Sequence, residues 1–275
     1  MQASHKPIGY MTSHRFFGFL ALGLLAAGCS HQTQLPNLSA DQLMQRGMDA
    51  LARHKWSRAV ESLEQFTLQF PQNPRHQEAR FRLAEAYIGK KEYITAATEL
   101  GKLATDYPAG NYADDARLKI CEAYYKMSPK SQLDQQYTRA AVDHCQALEA
   151  YYPNSEYVAA ANRMAKEMID RLAEKDYRAA EYYFKRGAVD SAILYYESTL
   201  EDFPTSASAP RSLLRLFQAY TTLGYKEEAD GAKARLLKDY PESDAAKMVK
   251  GVTTAKSDTS AAKEKTAVRD TTLRS

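Results

Sequence analysis

Residues 59–71, AVESLEQFTLQFP, end an apolar-periodic run on an aromatic-proline pair, and the same punctuation returns four more times along the chain. Phe70-Pro71, Tyr107-Pro108, Tyr152-Pro153, Phe203-Pro204 and Tyr240-Pro241 stand 37, 45, 51 and 37 residues apart. Proline lacks an amide hydrogen and clashes with the preceding turn, so each pair closes a helix. Two residues beyond each proline stands Asn73, Gly110, Ser155, Ser206 or Ser243. These predict a turn whose polar side chain caps the next helix. Twelve residues before each proline there is an alanine: Ala59, Ala96, Ala141, Ala192 and Ala229.

A period of this length with helix-ending punctuation predicts helix-turn-helix units. The pattern resembles the tetratricopeptide repeat, in which a small residue marks where the two helices of a unit touch and a proline closes the unit. That resemblance covers the five alanines. It extends to Tyr87, Tyr183 and Tyr220, where the repeat prefers Tyr, and to Gly47, Ala84 and Ala180, where it wants a small residue. Breaks within the units fall near residues 53–55, 89–91, 128–134, 186–188 and 223–224. The third unit gains a loop around residues 128–133, and the fourth has a first helix lengthened to about residues 157–185. No segment alternates with period two for long enough to make a strand. The expected fold is therefore all-α, a tetratricopeptide-like α-solenoid of five helical hairpins over residues 40–243, in which each hairpin is covered by its neighbours. From Asp244 apolar content falls, which predicts a disordered basic tail over residues 244–275, helical at most at its start.

The chain has 275 residues, 44% hydrophobic and 26% charged, with a formal charge of +3. Residues 1–28 contribute +2 and residues 250–275 contribute +3, which leaves the body at −2. Such a body lacks the counterion-release term that dominates nucleic-acid binding, so no nucleic-acid partner is expected.

Residues 16–27, FFGFLALGLLAA, form an uncharged run behind Lys6 and Arg15. A bilayer of about 30 Å takes about 20 residues of helix, so the run is too short to span and reads as a secretory signal. Ala26, Ala27 and Gly28 lead into Cys29, and this resembles the lipobox of bacterial lipoproteins, although Ala26 stands where that family usually has Leu. The resemblance implies a signal peptide over residues 1–28 and a lipidated Cys29. Ser30 in place of Asp implies sorting to the outer membrane, with the chain facing the periplasm. Residues 29–39 make a polar tether. Met11 is an alternative start.

No G-x-G-x-x-G, phosphate-binding loop, G-x-S-x-G or H-E-x-x-H occurs, so no catalytic residue, cofactor or metal is expected. Cys121 and Cys145 average to position 133, close to the loop that separates the third unit's two helices. Two readings stand: a disulfide stapling that unit in an oxidising compartment, or two buried reduced thiols. Metal binding by Cys121, His144 and Cys145 is disfavoured, because adjacent residues point about 100° apart on a helix. Tyrosines occur in pairs at 124–125, 151–152, 182–183 and 195–196. One of each pair faces the core, and the other either covers the next repeat or lines a partner-binding surface.

Asp170-Arg171-Leu172-Ala173, Tyr177, Ala180-Glu181-Tyr182-Tyr183 and Arg186-Gly187 resemble the BamD family of lipoproteins of the outer-membrane β-barrel assembly machinery. Ala123-Tyr124-Tyr125-Lys126, Tyr152-Pro153-Asn154-Ser155 and Lys55-Trp56 with Ala59 are similar too. The resemblance implies a non-enzymatic scaffold that docks on the periplasmic domains of the barrel-inserting subunit and helps receive unfolded outer-membrane proteins. Glu181, Tyr182, Tyr183 and Arg186 are the expected docking patch, since an Arg beside a helix-ending Gly is placed to meet a partner's carboxylate. The alternative is a periplasmic repeat lipoprotein that serves as an adaptor for cell-wall or division proteins.

Overall fold

The computed structural model describes residues 38–250, and every regular element among them is helical. The order is α1 (Ala40–Ala52), α2 (Trp56–Gln69), α3 (His76–Gly89), α4 (Tyr93–Asp106), α5 (Ala113–Met127), α6 (Gln136–Tyr151), α7 (Val158–Lys185), α8 (Val189–Asp202), α9 (Ala209–Leu223) and α10 (Lys226–Asp239). Each helix packs chiefly on its neighbours in sequence, which is the one-dimensional contact pattern of a solenoid of five hairpins. The signal, Cys29, the tether as far as residue 37 and the tail from residue 251 lie outside the described residues.

The first helix starts on a capping box. Ser39 Oγ accepts from the Gln42 amide at 3.3 Å, and Gln42 Oε1 accepts from the Ser39 amide at 2.9 Å. The five repeated alanines are all buried, four of them completely. At Gly47 a Cβ would lie 2.7 Å from Leu63 Cγ, so α1 and α2 approach too closely there for any side chain.

The turns after the prolines differ from the expected side-chain caps. In all five the backbone amide of Asn73, Gly110, Ser155, Ser206 or Ser243 donates to the carbonyl of the aromatic residue before the proline, at 3.0–3.1 Å. Three side chains add to this bond: Asn73 Oδ1 accepts from the Arg75 amide at 2.9 Å and Ser155 Oγ from the Tyr157 amide at 3.3 Å, each just ahead of its helix, and Ser243 Oγ accepts from the Ala246 amide at 3.1 Å within the helix that follows. Gly110 has no side chain to offer, and Ser206 is buried, so the shared device is a backbone turn.

The tips within the hairpins share a second device. Gly187 at φ 77° and Gly224 at φ 80° end α7 and α9 in the left-handed conformation, and His54 at φ 54° and Lys91 at φ 64° do the same after α1 and α3. Behind each, the next amide reaches back to close the helix, as Lys55 N does to Ala50 O at 2.8 Å and Ala188 N does to Tyr183 O at 3.1 Å. This is the Schellman geometry.

The third unit replaces that tip with a longer loop, held by polar contacts. Buried Gln135 donates through Nε2 to the carbonyls of Lys130 and Leu133, both at 2.9 Å. Arg171, reaching across from α7, donates to the carbonyls of Ser128 at 2.9 Å and Pro129 at 3.2 Å. Cys121 and Cys145 form a disulfide between α5 and α6, with Sγ atoms 1.96 Å apart and Cα atoms 4.7 Å apart. His144 stacks on Tyr124 instead, with ring centroids 4.6 Å apart.

Helix α7 runs 28 residues without Gly or Pro. Ala161 and Ala165 in its first half pack with Cys121, Cys145 and Leu148, while Tyr177 and Ala180 in its second half join Tyr196 and Leu213. One helix thus serves two units. At the far end residues 244–250 are helical, and Ala245, Ala246 and Val249 are buried in the last core. The packed body therefore passes the boundary that composition places at residue 243.

Candidate functional site

The four residues of the expected docking patch sit on the last turns of α7, but the structure divides them. Glu181 faces inward. Its carboxylate accepts from Tyr196 Oη at 2.6 Å and pairs with Arg215 Nε at 2.6 Å, so it ties α7 to α8 and α9. Burial alone would raise its pKa. The hydrogen bonds from Tyr196 and Arg215, together with the Arg215 charge, outweigh burial and hold the carboxyl below its ordinary range. The same contact and burial push the Tyr196 hydroxyl well above the ordinary tyrosine range. Glu181 thus spends its carboxylate on contacts within the chain.

Tyr182, Tyr183 and Arg186 form a surface. Tyr182 is 52% exposed and half-buried Tyr183 meets it edge to face, with centroids 5.5 Å apart. Exposed Arg186 lays its guanidinium 4.5 Å from the Tyr182 ring centre and makes no ion pair among the described residues. Tyr195 on α8 completes the group: it is 39% exposed and stacks on Tyr183 at 5.3 Å with ring planes 12° apart. Leu194, next to it in sequence, is 68% exposed.

This arrangement follows from sequence. The Tyr195-Tyr196 pair sends Tyr196 into the core at 0% exposure, which turns Tyr195 outward. Gly187 stops α7 and leaves Arg186 at the cap, where a helix C-terminus favours a cation. A planar cation over exposed tyrosines is suited to a partner that brings a carboxylate and apolar area together.

Among the described residues no group of three or more His, Cys, Asp and Glu could hold a metal ion, and no helix is long and apolar enough to cross a membrane.

Paired helices with an alanine at each crossing define a tetratricopeptide-like solenoid, and it carries an aromatic-basic surface at one hairpin tip. Residues 36–236 match the YfiO family, described as outer membrane lipoprotein, and the chain belongs to that family. It is 26% identical over 220 residues to the outer membrane protein assembly factor BamD of Caulobacter vibrioides, covering 78% of this chain and 72% of the relative. It is 24% identical over 227 residues to the protein of that name from Vibrio cholerae, covering 78% and 94%. Among solved structures it is similar to the P58(IPK) TPR domain, with a TM-score of 0.40 and 18% identity, over 75% of this chain and 53% of that one.

Proposed function

We propose that this chain is a non-enzymatic scaffold of outer-membrane β-barrel assembly, anchored in the outer membrane through acylated Cys29 and facing the periplasm. In this reading the α7–α8 tip docks on the periplasmic domains of the barrel-inserting subunit, and the solenoid helps receive unfolded outer-membrane proteins. Family membership and the relatives named as assembly factors support the role. The observation that carries the docking site is the group of Tyr182, Tyr183 and Tyr195, with Arg186 over the Tyr182 ring and without an ion pair among the described residues. Two acyl chains with the N-terminal modification give stable anchoring, where one chain alone is marginal.

Depletion of the protein in its own cells tests the role. A joint fall of many outer-membrane barrels, read by quantitative proteomics of isolated outer membranes, is the expected result. A wall or septation defect with normal barrel levels would replace this reading with the cell-wall adaptor.

A further inference from the structure

Charge is spread unevenly along the solenoid's two edges. The turns within hairpins lie along one edge and the proline turns between hairpins lie along the other, as the up-and-down alternation from α1 to α10 requires. The proline edge is acidic, with Asp106, Asp114 and Asp115 between the second and third units and Asp202 and Asp239 before the later prolines. On the opposite edge the fifth tip has Lys226 followed by Glu227 and Glu228, while the basic excess is largest at the first tip, residues 53–58, which read RHKWSR without an acid.

Three observations single out this tip. Arg53, Lys55 and Arg58 are exposed, and none pairs with a carboxylate among the described residues. The second tip lies beside it, since the Trp56 ring fills the space over Gly89, where an added Cβ would come within 2.4 Å. That second tip adds Lys91, which is exposed and likewise without a carboxylate partner among the described residues. Finally, these two tips place His54 and Lys91 at the left-handed position where the fourth and fifth units use Gly187 and Gly224. A basic or titratable side chain is thus kept at a conformation that costs a non-glycine residue about 1 kcal/mol.

We infer that the basic tip of the first two hairpins binds the anionic phosphate headgroups of the bilayer in which the chain is anchored, and so sets the orientation of the solenoid. This rests on the lipid-anchored reading above. Residues 29–39 span about 36 Å when extended, more than the roughly 20 Å length of α1, so an anchor at Cys29 leaves the tip free to reach the headgroups. Charge complementarity selects the occupant: anionic lipid attracts clustered Lys and Arg, and the attraction fades within a Debye length. Trp56 is committed to packing on Gly89, so the contact is electrostatic and does not depend on ring insertion.

Trp56 is the only tryptophan in the chain, and it stands inside the tip. The full lipidated chain is reconstituted on vesicles carrying a dansyl headgroup lipid, made either of phosphatidylcholine alone or with phosphatidylglycerol, and energy transfer from Trp56 is measured. Transfer should be higher on the anionic vesicles, fall in high salt, and drop to the phosphatidylcholine level in the triple variant Arg53→Glu, Lys55→Glu, Arg58→Glu. Lys91→Gln alone should weaken the anionic preference roughly fivefold. All four side chains are exposed, and an unchanged thermal melt verifies the fold of each variant. Retention on both vesicles with equal transfer overturns the headgroup contact and leaves the anchor standing. Retention on anionic vesicles alone overturns the anchor and supports the contact, and retention on neither overturns both.

Discussion

Tyr240 donates its hydroxyl to the carbonyl of Pro204 at 2.5 Å, joining the closing turn of the fifth unit to that of the fourth. Tyr152 makes the same bond to Pro108 at 2.9 Å. At these two sites the aromatic residue before the proline has two tasks: its carbonyl receives the turn, and its hydroxyl reaches the preceding proline turn. Phe70 closes the first unit and has no earlier proline turn to reach. Removing the hydroxyl should cost about 1 kcal/mol per site. Tyr240→Phe and Tyr152→Phe should each lower stability by that amount in urea unfolding, and Phe203→Tyr should give no matching gain. Equal stability of all three with the parent would remove the inter-unit bond as a stabilising device.

The carboxyl of Glu181 has its pKa depressed by Tyr196 and Arg215. Its contribution to stability is complete above the unfolded value of about 4.3 and is lost as pH falls through the lower folded value. Urea titrations between pH 7 and pH 3 should show the parent losing stability below about pH 4 more steeply than Glu181→Gln. Arg215→Ala should cost about 1–3 kcal/mol at pH 7, because it strands a carboxylate that is largely withdrawn from water. Parallel pH profiles for the parent and Glu181→Gln would contradict the assignment.

His54→Gly and Lys91→Gly should each raise stability by about 1 kcal/mol, since both residues hold positive φ. Differential scanning calorimetry reads the gain as a higher Tm. A loss at either site would mean that the side chain contributes more than the backbone strain takes away.

The disulfide predicts no reactive thiol from Cys121 or Cys145 in denatured protein without reductant, and two after reduction. Closing a loop with a sequence separation of 24, it should add about 3 kcal/mol, lost on reduction. Two free thiols before reduction would return both residues to the role of small apolar side chains.

Much of this was legible in the chain. Proline fixes where a helix ends, so the hairpin boundaries could be read locally, and the five alanines marked the crossings that the structure buries. Glu181 shows where local reading stops: beside Arg186 it looks like part of a docking patch, but its partner Arg215 comes from two helices later. Tyr195 was visible only as half of a pair, because its stacking on Tyr183 depends on how α7 and α8 fold together. The left-handed residues at the tips could be anticipated at Gly187 and Gly224, where Gly signals the conformation, and not at His54 or Lys91.

The central claim is that the α7–α8 tip docks on the barrel-inserting subunit, and co-purification from detergent-solubilised membranes tests it most directly. Arg186→Glu, and separately Tyr182→Ala with Tyr195→Ala, should strip that subunit from the tagged protein at unchanged cellular level and unchanged thermal melt. Full recovery of the subunit with both variants would contradict the account.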